Sequence, residues 1–440
     1  MADVPYLPLL GAMISSFGTS THDETTFSRR IDAQTGGLSA GPQTQAVPGA
    51  GGAGFLVGER DSMSAYWMVS GKASVEKSAA LFGLASEMLT DINLDNRNRV
   101  VEILTQALSS AQSSVVTSAS AATSLLQARL SLAGDLDERM AGLSAMATYR
   151  EALAQAKDDW PSLLARFERM RAAMLSADGA IINLSADASS MVAALRHVPS
   201  LLESLPCDGG AAAPRPRWAF EPTESGLLVP AGEGGIAISN PVPIHEGLMV
   251  PTQVNYVAKC GALYAPGEPV SGATSVITRY LRTAYLWDSV RVQGGAYGCS
   301  LSFSQVSGIA TYSSYRDPNL ANTLQAYDRT GQFLRSNRLS AADLSKAIIG
   351  AVGDLDAPQS VYGKGSMVLR RHMLGVTTED RQIWRDQVLG TTPDDFVAFA
   401  DRLDTLVDGG SVAAVASETA IAQANSVLPE GRRLEARRIL

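Results

Sequence analysis

The sequence has few of the residues that build metal centres and disulfide frameworks. Its 440 residues include four histidines and three cysteines, and no two of these lie within one helical turn of each other. His245-Glu246 begins an H-E-x-x-H pattern, but Met249 stands where the second histidine is needed, and the reversed pattern H-x-x-E-H is absent. A zinc hydrolase needs about three protein ligands, so no local motif of this chain supplies a zinc site. Scattered, odd-numbered cysteines are typical of a reducing compartment.

Long apolar runs and a positive charge balance are also missing. No apolar run approaches the ~20 residues of a membrane helix. The N-terminal residues contain neither a basic segment before an apolar run nor an Arg-rich stretch, so we expect no targeting segment in this chain. The net charge of −8 argues against nucleic acid as the main partner. A hydrophobic content of 45% provides ample material for globular cores.

Two glycine motifs lack the context that their chemistry needs. The stretch Gly37-Leu38-Ser39-Ala40-Gly41 fits the serine-hydrolase pattern G-x-S-x-G, but Pro42 and a glycine-rich loop follow where a helix is required. Residues 49–54 match G-x-G-x-x-G, yet no strand precedes them and no helix follows. Serine-hydrolase and dinucleotide-binding functions are therefore disfavoured.

A proline-, glycine- and alanine-rich stretch divides the chain. We expect a first domain over residues 1–207, a linker over 208–224 and a second domain over 225–440. In each half, short strand-like pieces precede a series of amphipathic helices. This order predicts the α+β class, with two tandem domains that each pack helices on a mostly antiparallel sheet.

Four elements can be predicted from local patterns. Residues 180–184 (AIINL) predict a buried strand, and residues 271–287 predict a helix. Residues 298–303 and 308–314 alternate like a hairpin. Asp317-Pro318 predicts a helix start, with the aspartate as cap and the proline at the first position.

The most informative stretch is LWDSVRVQGGAYG at residues 286–298. Gly294 and Gly295 can adopt backbone angles that other residues adopt only at a cost. A bend there would bring Arg291 and Tyr297, six residues apart, to one place. A fixed cation and a neutral hydroxyl donor suit an oxygen that gains negative charge. From residue types alone, the alternative is that Arg291 pairs with Asp288 and Tyr297 packs within a strand.

Several segments together resemble the C-terminal half of the presequence protease group, within the pitrilysin-type (inverzincin) zinc metallopeptidases. The resemblance covers nearly the whole chain and rests on nine segments in order. They are QTGGLS (34–39), VSGKA (69–73), LTDINLDN (89–96), LAGDLDERMAGLS (132–144), VPTQVNYV (250–257), LWDSVRVQGGAYG (286–298), SYRDPNL (314–320), KAIIGAVGDLDA (346–357) and LRRHMLGVT (369–377).

The resemblance implies four related α+β domains, joined as two halves around a chamber, with zinc bound by H-x-x-E-H in the N-terminal half. It implies that Arg291 anchors a substrate carbonyl and that Tyr297 stabilises the oxyanion, beside the turn of Gly294 and Gly295. It also implies presequences and other short unfolded peptides as substrates, and a mitochondrial or plastid location. The complete enzyme would use zinc, while this chain would bind none.

The zinc-bearing half is absent from this sequence, which leaves three alternatives open. The chain is a fragment of a longer peptidase, a subunit of a split enzyme whose partner brings zinc, or a non-catalytic structural or binding subunit. Intact Arg291 and Tyr297 favour the first two.

Overall fold

A computed structural model of the chain describes residues 2–51, 53–207, 220–222, 228–230 and 245–440. Its strands are β1 (Leu38–Ala46), β2 (Phe55–Leu56), β3 (Met63–Gly71), β4 (Phe220–Pro222), β5 (Leu228–Pro230), β6 (His245–Met249), β7 (Tyr256–Ala262), β8 (Pro269–Val270), β9 (Gly298–Phe303), β10 (Ile309–Tyr315), β11 (Ser411–Ala416) and β12 (Glu435–Arg438). We call residues 2–207 the first half and residues 245–440 the second half.

Helices make up most of both halves. Those of the first half are α1 (Leu7–Ser16), α2 (Glu24–Gln34), α3 (Ser78–Thr90), α4 (Arg97–Thr117), α5 (Ser120–Ala128), α6 (Leu132–Ala141), α7 (Leu143–Asp158), α8 (Trp160–Met174), α9 (Ala188–Leu195) and α10 (Val198–Ser204). Those of the second half are α11 (Ala273–Tyr280), a π-helix (Leu281–Gln293), α12 (Leu320–Asp328), α13 (Thr330–Ser336), α14 (Ala341–Leu355), α15 (Val361–Leu374), α16 (Thr378–Leu389), α17 (Pro393–Gly409) and α18 (Glu418–Val427). Short 3₁₀ turns lie at Val4–Tyr6, Val75–Lys77 and Glu430–Arg432.

The second half is built on a six-stranded sheet. Its strand order is β12-β6-β11-β7-β10-β9, with β6 parallel to both of its neighbours and the other pairs antiparallel. Strands β9 and β10 form the predicted hairpin, in which Tyr315 lies opposite Gly298. The α+β prediction, antiparallel sheets with packed helices, is confirmed.

Both faces of this sheet are buried, each against a different half of the molecule. One face packs on the second half's own helices and includes Val257 and Tyr312. The other face packs on α4, α5 and α7 of the first half and includes Tyr256 and Ala258. Since successive side chains of a strand point to opposite faces, β7 alternates between two cores and is apolar along most of its length.

The first half contains one long hairpin, in which β1 pairs with β3 in antiparallel register. Its core packs α1, α2, α3, α4, α7 and α8 around residues such as Leu10, Met88 and Phe167. The loop between β1 and β3 reaches the second half, where β2 pairs with β8. The two halves therefore share a core and a strand pair.

Some sequence predictions need correction. Residues 180–184 form no strand in the described part of the chain, and Ile181 is 52% exposed, so the predicted buried strand is wrong. The predicted helix over 271–287 is correct in place, but it changes from α to π winding at Leu281 and runs on to Gln293. The helix predicted to start at Asp317-Pro318 begins later, at Leu320.

Most of the predicted linker, residues 208–224, lies outside the described residues, apart from Phe220–Pro222. Within the described ranges, no helix combines the length and the apolar character that crossing a membrane requires.

Candidate functional site

A π-helix leads into the candidate site. It continues directly from α11, and its buried side chains are Leu281, Leu286 and Val290. Their intervals of five and four residues are wider than the 3.6-residue turn of an α-helix and match i→i+5 hydrogen bonding. Long π segments are rare and often accompany functional sites. This one ends at the double glycine.

Arg291 lies in the last turn of the π-helix, and its guanidinium stacks on an aromatic ring. Arg291 Cζ is 4.0 Å from the ring centre of Trp287, a side chain that is itself half exposed. Asp288 does not pair with Arg291 and instead accepts a hydrogen bond from Gln293 Nε2 at 2.6 Å. No carboxylate of the described residues lies within salt-bridge distance of Arg291. The alternative pairing with Asp288 is therefore wrong, and the guanidinium N–H donors are not used by an acid.

The double glycine forms the turn after Arg291, and each glycine is needed for a different reason. Gly295 has a φ of +78°, which favours glycine. Gly294 has an ordinary φ of −78°, so the expectation of unusual angles is wrong for this residue. A Cβ at Gly294 would lie 2.5 Å from Val290 O, so close packing excludes a side chain there. Asn319 Nδ2 fastens the turn by donating to Gly294 O at 2.5 Å.

Tyr297 follows the turn and precedes β9. Its backbone N–H donates to Tyr315 O at 3.1 Å, which ties it to the end of β10. Its side chain is 65% exposed, so the alternative that it packs within a strand is wrong. The ring meets that of Tyr315 edge-on, with centres 5.8 Å apart. Arg291 Cζ lies 5.6 Å from the Tyr297 ring centre, so the structure brings the two predicted residues together.

This arrangement presents a guanidinium and a phenol side by side on an open surface. A polar cavity of about 310 Å³ adjoins Gly294 and Asn319, but neither Arg291 nor Tyr297 lines it. An exposed phenol donates one hydrogen bond and a guanidinium up to five. Such donors suit a carbonyl oxygen, and they suit it better as that oxygen becomes negative.

A buried polar network at the end of β10 supports this surface, and sequence reasoning missed it. Asp317 is fully buried, and its carboxylate accepts hydrogen bonds from the Asn319 N–H at 2.8 Å and from Thr323 Oγ1 at 2.7 Å. Burial raises the pKa of Asp317, although these hydrogen bonds oppose the rise. The preceding residue, Arg316, has a φ of +48°. The Asp-Pro sequence suggested a helix cap, whereas the carboxylate orders the loop before the helix.

The four histidines do not converge. His22 contacts Glu87 at 3.2 Å, His245 is buried at the start of β6, and His197 and His372 lie on separate helices. Among the described residues, no group of three or more histidine, cysteine, aspartate or glutamate side chains is placed to hold a metal ion. The residues present therefore do not fit a zinc centre.

The other motifs weighed from the sequence show no site either. Ser39 lies within β1, paired opposite Ser70, and not at a strand-to-helix turn. In the glycine-rich stretch, the Gly54 N–H donates to Asp380 Oδ1 at 2.9 Å, and the short strand β2 follows. A helix that could face a nucleotide phosphate does not follow that stretch in the described residues.

Comparisons with known families and sequences place this geometry in context. The family model for the associated region of M16 peptidases of subfamily C matches residues 1–151, and the one described as "PreP C-terminal domain" matches residues 245–418. The chain is 33% identical to presequence protease 1, chloroplastic/mitochondrial, of Arabidopsis thaliana, across 96% of this chain and 36% of that protein. It is 25% identical to the mitochondrial presequence protease of Kluyveromyces lactis, across 90% of this chain and 38% of that protein. The chain thus spans less than two fifths of the length of these relatives.

Solved structures share the fold at low sequence identity. A structure described as the peptidase M16 inactive domain from Pseudomonas fluorescens has a TM-score of 0.59 at 14% identity, and covers 93% of this chain and 87% of that one. The crystal structure of pitrilysin has a TM-score of 0.57 at 14% identity, and covers 98% of this chain and 41% of that one.

These matches agree with the fold and with the resemblance seen in the sequence. The chain belongs to the pitrilysin-type M16 peptidases, a family of zinc metallopeptidases. Within that family it is a presequence protease-like member, and it corresponds to the C-terminal part of those proteins.

Proposed function

We propose that this chain is the C-terminal, substrate-enclosing half of a zinc metalloendopeptidase that degrades presequences and other short unfolded peptides. One observation carries the proposal: Arg291 and Tyr297 lie 5.6 Å apart on an exposed surface, and the guanidinium has no acidic partner among the described residues. Packing alone does not require an exposed phenol beside a guanidinium that no carboxylate neutralises.

In this proposal each residue acts on the peptide bond that is hydrolysed. The Arg291 N–H groups anchor a substrate carbonyl, and stacking on Trp287 holds the guanidinium in place. The Tyr297 hydroxyl donates to the carbonyl oxygen as that oxygen becomes negative. The turn of Gly294 and Gly295 carries no side chains and lets the peptide approach. Loss of one such donor typically raises the barrier by ~3 kcal/mol.

Zinc has no place among the described residues of this chain, so the proposal assigns it to an N-terminal half supplied in cis or in trans. The division into a first domain (residues 1–207) and a second domain (225–440), joined by a linker (208–224), is part of the same proposal. So is a location in the mitochondrial matrix or the plastid stroma, which the names of the Arabidopsis and Kluyveromyces relatives support.

The test compares the chain alone with the chain assembled with a zinc-bearing N-terminal half, using a basic presequence-like peptide. We expect turnover only in the assembled sample with zinc. Arg291→Ala should then lower kcat/KM by about 10²–10³-fold, the usual effect of losing one such donor. Arg282→Ala removes the same charge from an exposed position on the same π-helix and should leave kcat/KM within about twofold. Zinc-dependent turnover by the pure chain, or a fully active Arg291→Ala enzyme, would contradict the proposal.

A second candidate is a non-catalytic structural or binding subunit of a larger assembly. The fold-level match to the structure described as an M16 inactive domain favours it. It predicts that the chain purifies from its source in a stable complex without any protein that bears H-x-x-E-H. It also predicts that Arg291→Ala changes no peptide turnover.

A further inference from the structure

Arg316 has a backbone conformation that folding alone does not explain. Its φ of +48° is the only positive φ of a non-glycine residue in the part of the chain that the structure describes. A residue with a Cβ adopts this left-handed region at a cost, and glycine adopts it freely. Strained residues of this kind cluster at functional sites. Glycine would serve the backbone better, so the arginine side chain needs its own reason.

The surrounding structure holds Arg316 in this conformation. Asp317 and Asn255 pair through both of their backbone groups, at 2.7 Å and 2.9 Å, and Asn255 Nδ2 also donates to Asp317 O at 2.9 Å. Both residues are buried. Ser314, on the other side of Arg316, is buried as well, so fixed neighbours force the arginine outward.

The Arg316 side chain is exposed and close to aromatic rings. Its Cζ lies 5.4 Å from the ring centre of Tyr315, the same ring that meets Tyr297 edge-on. It also approaches the Tyr256 hydroxyl, where it opposes the rise in pKa that burial causes. Among the described residues, no carboxylate lies within salt-bridge distance of Arg316. The guanidinium is thus positioned by aromatic rings and available to bind an anion.

Arg291, Tyr297, Tyr315 and Arg316 therefore form one continuous row. The distances of 5.8 Å and 5.4 Å along it place the Arg316 guanidinium at most about 11 Å from the Tyr297 ring centre. An extended peptide advances about 3.3 Å per residue. A peptide whose carbonyl lies at Tyr297 reaches Arg316 within about three residues.

We infer that Arg316 is a further substrate-contact residue, which binds a peptide carboxylate within about three residues of the carbonyl held at Tyr297. A guanidinium recognises a carboxylate through two parallel hydrogen bonds. The carboxylate belongs either to an acidic side chain or to the C-terminus of a short peptide. The inference rests on the proposed function and adds a substrate preference to it.

The first test uses the assembled enzyme and a set of quenched fluorogenic peptides of equal length. Glutamate or glutamine is moved through the three positions on each side of the cleaved bond, and each peptide is made with a free or an amidated C-terminus. We expect one position, or the free C-terminus, to improve kcat/KM about tenfold. Arg316→Ala should reduce that preference to less than twofold without changing turnover of the glutamine peptides, and Arg316→Lys should keep part of it. Equal preferences in wild type and Arg316→Ala would overturn the inference.

A second test needs no catalysis, so it separates failure of this inference from failure of the proposed function. In the chain alone, the Arg316 Nε–Hε NMR signal is assigned by its loss in Arg316→Lys. Adding the preferred glutamate peptide, or the free-acid peptide, at millimolar concentration should shift this signal, and the matched amide should not. If both peptides or neither shift it, Arg316 does not bind the carboxylate.

Arg316→Gly controls for folding. Glycine relieves the positive φ, so the Tm of this variant should equal or exceed that of wild type while the carboxylate preference is lost. A lower Tm together with a retained preference would show that the arginine serves the fold.

Discussion

The long hairpins of the two halves are alike in shape and different in completion. In the second half, β10 pairs with β9 on one side and with β7 on the other. In the first half, β3 pairs with β1, and no strand of the described residues pairs with its other edge. The candidate site lies beside the completed hairpin, where Tyr297 bonds to the end of β10. Rigid placement of the site therefore follows from a finished sheet.

Two apolar segments show the same contrast. Residues 411–416 form β11, and Val415 is fully buried between β6 and β7. Residues 180–184 have a similar apolar sequence and are followed by a capped helix in the same way, yet Ile181 is 52% exposed. Strand propensity is thus realised only where a neighbouring strand is available.

Hydrogen exchange of the chain alone should show the largest difference between the halves. Amides of β3 that face its open edge lack strand partners among the described residues, while those of β10 are paired on both sides. We expect the β10 amides to exchange on the order of 10³-fold more slowly than those β3 amides. Equal protection in residue-resolved exchange would mean that another part of the chain covers the edge.

A buried ion pair joins the two halves, and breaking it should have the next largest effect. Arg129, after α5, donates to Glu246 in β6, and both side chains are almost fully buried. Glu246→Ala removes the acid that neutralises a buried cation and should lower the free energy of unfolding by about 3–5 kcal/mol in denaturant titration. The control Glu102→Ala breaks an exposed pair with Arg99 and should cost less than about 0.5 kcal/mol. Similar losses in both variants would show that the joint contributes little.

The second half should also lose stability in mild acid. Burial, with help from the nearby Arg432 and Lys259 charges, lowers the pKa of His245 to about 4. Between that value and the ordinary pKa near 6.5, the unfolded chain binds a proton that the folded chain does not. Stability should therefore fall as the pH drops from about 6.5 to about 4, by roughly 3 kcal/mol at most.

The check is the difference in unfolding free energy between wild type and His245→Gln, measured across this pH range. The variant should lack this component of the fall, whereas His372→Gln, which removes an exposed histidine, should follow wild type. Parallel curves for wild type and His245→Gln would contradict the prediction.

The smallest effect concerns the two apolar segments. Val415→Ala removes buried methyl groups and should cost about 2 kcal/mol. Ile181→Ala removes a larger group from an exposed position and should cost less than about 0.5 kcal/mol. Equal costs in thermal unfolding would mean that residues 180–184 are packed like a strand.

The sequence predicts those features that depend on local chemistry. The α+β class, the β9–β10 hairpin and the meeting of Arg291 with Tyr297 follow from periodicity, from glycine and from family resemblance. Features that depend on distant partners are missed. The unpaired segment at 180–184 needs knowledge of the sheet, and the buried Asp317 beside a left-handed Arg316 needs knowledge of Asn255. The intervals between Leu281, Leu286 and Val290 were a signal of π winding that helix-period reasoning passed over.

The central claim is that the Tyr297 hydroxyl acts on the reacting carbonyl, and one substitution tests it directly. Tyr297→Phe keeps the ring and its contacts with Tyr315 and Arg291 and removes only the donor. In the enzyme assembled with a zinc-bearing half, kcat should fall about 10²–10³-fold while KM stays within about twofold. Tyr362→Phe, at another exposed tyrosine on α15, should leave both unchanged. A Tyr297→Phe enzyme with wild-type kcat would contradict the account.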